Sequence, residues 1–245
     1  DTGAEQTVLS QEVARRHRVQ PIVYTLSAGV GEVGFRGLEL ARIDSLQIGS
    51  LVIENVPSLI KNPPLGGMPR RETESFSPLA AGLSIRIDYD RQRLTLGRRL
   101  DTFQADVELP LRIHRLATVR GKINNEKNAS FVVDTGGEVI SLSAATASTI
   151  ETQPMTRSFP LKVYGSSGWD PEAFLLPGVN LMFNSISFNN YPVVVLNLHA
   201  PSALLGFELG GIIGHDFLKR YLVDLDLEES VIRLTHRSSA GFSSN

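Results

Sequence analysis

The sequence predicts an all-β chain made of two like halves, and three observations carry this. Asp1-Thr2-Gly3-Ala4-Glu5-Gln6-Thr7-Val8-Leu9-Ser10 recurs as Asp134-Thr135-Gly136-Gly137-Glu138-Val139-Ile140-Ser141-Leu142-Ser143 at a constant offset of 133, with six of ten residues unchanged. The stretch Ile48-Gly-Ser-Leu-Val-Ile-Glu-Asn-Val-Pro57 recurs as Phe183-Asn-Ser-Ile-Ser-Phe-Asn-Asn-Tyr-Pro192 at an offset of 135, keeping Ser, Asn, Pro and the apolar positions. Between these marks lie short β-prone runs punctuated by Gly, Asn and Pro, the signature of hairpins. This composition gives about 0.05 chance copies of Asp-Thr-Gly, so two copies arise by chance about once in a thousand such chains. The pair is a duplication.

The first half opens on the Asp1–Ala4 turn. Ser10 is placed to cap a short helix over Gln11 to about Arg18, with Val13 and Ala14 inward and the basic cluster of Arg15, Arg16, His17 and Arg18 a solvated face. Pro21–Leu26 and Val33–Ile43 flank the tip Ser27-Ala-Gly-Val-Gly-Glu32 and make a hairpin. Leu46–Pro57 is a second hairpin, turning at Gly49-Ser50. Residues 62–75 are rich in Pro, Gly and charge and read as a loop. Leu83–Asp90, a turn and Leu94–Leu96 close the half, and the boundary falls where no strand pattern runs, near Leu100 to Gln104.

The second half repeats the order. Arg115–Ile123, the polar turn Asn124–Asn128 and Ala129–Val133 form a hairpin that delivers Asp134 to a tight turn. Ala144–Thr149 is a short helix. Leu161–Tyr164 leads into Gly165-Ser-Ser-Gly168, Trp169 follows, and Ala173–Leu176 returns. Gly211-Ile-Ile-Gly214, a short helix at Asp216–Tyr221 and Val223–Asp226 are matched with Leu79-Ala-Ala-Gly82 and Ile87–Asp90, the first half lacking the helix. Asp88, Asp90, Asp224 and Asp226 alternate along their strands as solvent-facing residues do. The expected division is therefore residues 1–104, residues 105–236 and a frayed tail over 237–245.

Composition narrows the function. A chain of 245 residues suits two lobes of about 120 each. A formal net charge of −2 gives no reason to expect nucleic acid or an anionic surface as partner. No apolar run reaches the length of a membrane span. Cysteine is absent, and the five histidines, His17, His114, His199, His215 and His236, lack the spacing of metal ligands. No metal or other cofactor is expected.

The residues already quoted resemble those of the retropepsin-like aspartic peptidases, above all bacterial aspartyl proteases with two retropepsin-sized halves in one chain. The likeness rests on Asp-Thr-Gly-Ala with Thr-Val-Leu behind it, a Gly-rich hairpin about thirty residues on, and Gly-Ile-Ile-Gly before a helix. It spans about 1–100 and 106–236. It implies two acid-protease-like lobes related by a pseudo-dyad, with a cleft between them and a polypeptide substrate in the cleft. It implies Asp1 and Asp134 as the catalytic pair, Thr2, Gly3, Thr135 and Gly136 as their supports, and flaps at Gly29–Gly31 and Gly165–Gly168. Tyr164 and Trp169 are candidate cleft aromatics or, equally, core residues, and on their residues alone the Gly hairpins suit plain connections as well as flaps. Both halves of the site lie in one chain, so a monomer is expected. Gly214-His215-Asp216 departs from the Gly-Arg-Asn or Gly-Arg-Asp of such proteins, and Leu79-Ala-Ala-Gly82 departs further.

The chemistry fits those residues. Hydrolysing an amide without a metal or a nucleophilic side chain needs a base for water and an acid for the leaving nitrogen. Two adjoining carboxyls cannot both ionise, so they share a proton and supply both roles, as in aspartic proteases generally. The expected function is an aspartic endopeptidase; the alternative is a catalytically degenerate relative that binds peptides. The second motif has a leading hairpin and the first, at the start of the sequence, has none, which reads as a fragment, a processed product or a late start. The resemblance implies a periplasmic or secreted protein, whose signal peptide would lie upstream of Asp1.

Overall fold

The apolar residues of this chain mostly alternate, and alternation with a period of two is what a strand with one covered face requires. In Val107–His114 the side chains of Val107, Leu109 and Leu111 are buried while Glu108, Pro110 and Arg112 are exposed. In a computed structural model, which describes residues 1–61, 74–150 and 158–237, such strands make up nearly the whole architecture, and the helices are short. The fold is all-β. Most of the loop expected over 62–75, and all but the first residue of the tail expected over 237–245, lie outside the described residues.

The second half forms a closed sheet. Phe174–Phe183, Ile186–Leu196, Ser141–Ser143, Gly211–Ile213, Lys127–Val133 and Leu116–Ile123 are neighbours in that order. Phe174–Phe183 then pairs back on Leu116–Ile123 through Leu181↔Ile123 and Met182↔Lys122, closing six strands into a barrel without edges. Its interior is filled by Phe131, Phe183 and Phe217, whose rings meet edge to face. The hairpin that ends at Asp134 thus belongs to the barrel wall, and its last three residues Phe131, Val132 and Val133 are buried.

The first half forms a four-stranded sheet in the order Thr7–Leu9, Leu51–Ile60, Phe35–Ile48, Pro21–Ala28. The two expected hairpins share one strand: Phe35–Ile48 runs for 14 residues and pairs with Pro21–Ala28 on one side and Leu51–Ile60 on the other. Gly49, at a φ of +60°, makes the turn after it. The expected helix is present over Gln11–Arg16, and the Ser10 hydroxyl accepts from the Val13 N–H at 3.1 Å.

Five antiparallel strands carry both halves, in the order Val107–His114, Val231–His236, Tyr221–Asp226, Ser84–Asp88, Arg93–Gly97. At the join, Ile85, Arg86 and Ile87 of the first half pair with Leu225, Asp224 and Val223 of the second. Here one expectation is corrected. Asp224 and Asp226 do not face solvent: they are 1% and 5% exposed. Both faces of Tyr221–Asp226 are covered, so alternation separates two interiors rather than inside from outside. Asp224 is met by Arg86 with Nε and an Nη at 2.8 Å each, and Asp226 by Arg233 at 2.8 Å. Asp88 has a side chain only 16% exposed and is met by Arg91 at 2.9 Å, whereas Asp90 is exposed, as expected.

Candidate active site

Each Asp-Thr-Gly stretch leaves its support as a tight turn whose first backbone nitrogen is held from behind. The Asp134 N–H donates to the Ile213 carbonyl at 3.0 Å, and the Asp1 nitrogen donates to the Phe76 carbonyl at 2.9 Å. Within each turn the carboxylate folds back on its own backbone. The Gly3 N–H donates to Asp1 Oδ1 at 2.9 Å, and the Gly136 N–H to Asp134 Oδ1 at 2.8 Å.

The two turns are then tied to each other. The Thr2 N–H donates to Thr135 Oγ1 at 3.2 Å, and the Thr135 N–H donates to Thr2 Oγ1 at 3.1 Å. The Thr2 hydroxyl passes its own hydrogen to the Val133 carbonyl at 2.6 Å. Thr2 is fully buried and Thr135 partly so, and the Thr2 hydroxyl bond to Val133 lies out of water, where such bonds hold geometry best. All of Asp1, Thr2, Gly3, Asp134, Thr135 and Gly136 are brought together.

The carboxyl groups sit crosswise over the opposite turn. A Cβ on Gly3 would lie 2.2 Å from Asp134 Cγ, and one on Gly136 would lie 3.0 Å from Asp1 Cγ. Glycine is the residue that permits this approach. The Gly3 amide hydrogen-bonds Asp1, and Gly3 itself lies against the carboxyl of Asp134. Burial pushes the Asp134 carboxyl above the usual carboxylate range, and the Gly136, Gly137 and Gly3 N–H groups oppose that only in part. Glu5 is likewise raised, by burial first, against the pull of Arg115, whose guanidinium lies 2.5 Å from it.

The Gly-rich tips meet. Val163–Gly165 and Gly168–Asp170 form a two-stranded hairpin with Tyr164 opposite Trp169, their rings packed together and half-buried. This tip engages the tip at Gly29–Gly31 through backbone bonds: Ser167 N–H to the Val30 carbonyl at 2.9 Å, Glu32 N–H to the Trp169 carbonyl at 2.5 Å, and Val33 N–H to the Ser167 carbonyl at 3.2 Å. Arg36 adds a guanidinium bond to the Ser166 carbonyl at 3.1 Å. A Cβ on Gly165 would lie 2.0 Å from the Val30 carbonyl oxygen, so the tips fit only because that position has none.

Two residues that hold the first turn escape sequence reading, Phe76 and Ser77. The expected match of Leu79-Ala-Ala-Gly82 with Gly211-Ile-Ile-Gly214 is displaced. Phe76 does for Asp1 what Ile213 does for Asp134, and Ser75 bridges Val8 as Ile212 pairs with Ser141. Ser75-Phe76-Ser77-Pro78 therefore stands where Ile212-Ile213-Gly214-His215 stands in the second half. Identity has been lost there, and the constant offset of the Asp motif does not persist. A helical turn follows Ser77, with Ala81 N–H donating to the Ser77 carbonyl, but it does not lengthen into a helix. The expected helix in the second half is short, His215–Leu218. Among the described residues, no three His, Asp or Glu side chains gather as a metal site would need.

A family model described as gag-polyprotein putative aspartyl protease matches residues 1–68 and 119–220. Among solved structures, the chain is similar to a retropepsin-like aspartic protease from Rickettsia conorii at 15% identity and a TM-score of 0.35, over 55% of this chain and 96% of that one. It is similar to the EIAV protease complexed with the inhibitor HBY-793 at 18% identity and a TM-score of 0.32, over 42% of this chain and 84% of that one. An aspartic proteinase from Irpex lacteus is similar at 13% identity and a TM-score of 0.43, over 98% of this chain and 89% of that one. No curated protein matches the chain.

Proposed function

The chain belongs to the gag-polyprotein aspartyl protease family, and from that premise we propose that it is an endopeptidase in which Asp1 and Asp134 together activate water. The observation that carries the reading is Gly3, whose amide hydrogen-bonds Asp1 while the residue itself lies against the Asp134 carboxyl. In this reading the two carboxyls hold one proton between them, because two neighbouring carboxylate anions repel. The raised Asp134 carboxyl is the natural holder of that proton in the resting enzyme.

The ionised partner draws a proton from water as it attacks the scissile carbonyl. The protonated carboxyl hydrogen-bonds the carbonyl oxygen as charge develops there. Breakdown of the tetrahedral intermediate returns a proton to the leaving nitrogen, and the pair has exchanged roles. Thr2 and Thr135 fix the turns, while Gly3 and Gly136 leave room for the crossed carboxyls. The joined tips at Gly29–Gly31 and Gly165–Gly168 are the flaps, which part to admit an extended polypeptide and close over it. Both halves of the site come from one chain, so a monomer suffices.

Cleavage of an unstructured protein substrate tests this. Wild-type protein should cut it and be inhibited by a statine-type peptide mimic, while Asp134→Asn and Asp1→Asn should each lose essentially all turnover. The double variant should be no worse than either single one, because the two act as a unit. Turnover by Asp134→Ala would sink the mechanism. Tight binding of the mimic without any cleavage by wild type would instead establish a peptide-binding relative.

A further inference from the structure

In the second half, the turn after Asp134 is fastened from outside by the helix that begins at His215. The His215 N–H donates to the Gly137 carbonyl at 2.7 Å, and the Asp216 N–H to the Glu138 carbonyl at 2.8 Å. Gly214 precedes them without a side chain, because a Cβ there would lie 2.6 Å from the Val139 carbonyl oxygen and 2.7 Å from that of Gly137. The residue in the place of His215 in the first half is Pro78, and proline has no N–H to give. The first turn therefore lacks the backbone donor that holds the second.

Ser77 stands in the place of Gly214, and it is fully buried. Its hydroxyl donates to the Ala4 carbonyl at 2.6 Å, and Ala4 is the counterpart of Gly137. The Ser77 N–H donates to Thr7 Oγ1 at 3.2 Å, and the Ser77 hydroxyl accepts from the Ala80 N–H at 3.3 Å. We propose that Ser77 is the positioning residue of the Asp1 turn, its hydroxyl replacing the backbone hydrogen bond that Pro78 cannot make. The pair Ser77-Pro78 and the pair Gly214-His215 are two solutions to one demand. In each, a carbonyl three residues beyond an aspartate receives a donor from the start of a helical turn. The two halves thus hold like turns by unlike means, and only the first depends on a side chain.

The consequence for turnover rests on Asp1 being a reacting group; the hydrogen bond itself does not. Three proteins test it: Ser77→Ala, the double variant Ser77→Gly with Pro78→Ala, and wild type. Each is measured by amide hydrogen exchange over residues 1–9 and by steady-state cleavage. Ser77→Ala should speed exchange in residues 1–9 and leave residues 134–142 unaffected. It should lower kcat by about tenfold with KM little changed, as expected when a reacting group is held loosely while the groups that bind substrate are intact. Pro78→Ala restores an N–H and Ser77→Gly removes the Cβ that would stand in its way, so the double variant should recover most of both effects. Wild-type exchange and kcat in Ser77→Ala would overturn the proposal, and so would a double variant no better than the single. A wild type that does not cleave defeats the functional reading alone, because the exchange data still judge the hydrogen bond. Should Ser77→Ala fail to fold, the exchange of Ser77→Gly with Pro78→His, which installs the pair of the second half, decides the matter. That protein must fold with residues 1–9 as protected as in wild type, and unprotected amides there would overturn the proposal.

Discussion

Gly3 and Asp134 illustrate how little slack the site has at the scale of single residues. A methyl on Gly3 would sit 2.2 Å from the carboxyl carbon of Asp134 and 2.3 Å from its Oδ1, a separation no non-bonded carbon tolerates. Either the carboxylate rotates away or the turn shifts by about an ångström, and a misplacement of that order costs about a hundredfold in rate. If Asp1 and Asp134 are the reacting pair proposed above, Gly3→Ala should lose about two orders of magnitude in kcat while its far-ultraviolet circular dichroism stays that of wild type. Turnover within a few-fold of wild type would mean that Asp134 does not work from this position.

Asp134 also links the site to stability. Its pKa is raised in the folded protein, by burial first, so between the unfolded value of about 3.9 and the higher folded value the native state binds the extra proton. Stability then falls as pH rises through that window and levels off above it. Asp134→Asn has no proton to lose. Its stability relative to wild type should increase from pH 4 towards neutrality, read as the difference in urea midpoints at a series of pH values. A difference that stays flat, or runs the other way, would contradict the raised value. This residue was legible in the sequence because the motif repeats around it. The environment that raises it was not, since burial is made by strands far away in the chain.

At the scale of elements, the sequence marks what duplication has kept and hides what it has not. The hairpin before Asp134, the cap at Ser10, the Gly49 turn and the two Gly-rich tips all carry local turn chemistry, and all appear where that chemistry puts them. The support behind Asp1 does not, because Ser77-Pro78 shares no residue with Gly214-His215 and is equivalent to it only through hydrogen bonds. Nor could alternation reveal that Tyr221–Asp226 is covered on both faces. The pairing of the tips was equally invisible, since it joins residues about 130 apart through backbone groups that every sequence has. It can be broken by one atom. Gly165→Ala places a Cβ against the Val30 carbonyl oxygen, and the backbone of the opposite tip must give way. The bonds of Ser167 and Glu32 across the tips should weaken together, seen as faster exchange in residues 28–34 and 163–170. If these tips are the flaps of a peptidase, cleavage should suffer in KM as well as kcat. Unchanged exchange in both segments would show that the tips are not coupled.

For the whole molecule, the question is what makes two halves act as one body at the two Asp-Thr-Gly turns. Thr2 and Thr135 tie the turns directly, and the five shared strands do so from beneath. At the middle of those strands Arg86 and Asp224 face each other in register, one from each half. Asp224 is 1% exposed and receives two guanidinium bonds at 2.8 Å, while Arg86 also lies over the Phe103 ring at 4.8 Å and bonds the Asp101 carbonyl. A buried pair of this kind contributes little over an apolar pair of the same volume, yet removing one member strands the other's charge away from water at a cost of about 3–5 kcal/mol. Arg86 keeps part of its side chain in solvent, at 23% exposed, and water reaching the site should hold the loss to the lower end of that range. Arg86→Leu should thus destabilise the protein by about 3 kcal/mol, and Asp224→Leu, which leaves the more exposed partner alone, by less. The double variant should be more stable than Arg86→Leu. If the pair acts as the junction of the halves, Arg86→Leu should also loosen the site above it. Denaturant unfolding should then separate into two transitions, with cleavage activity disappearing in the first. Additive single-variant effects, with one transition throughout, would assign the join to the strands and the threonine exchange, and leave the ion pair as a local interaction.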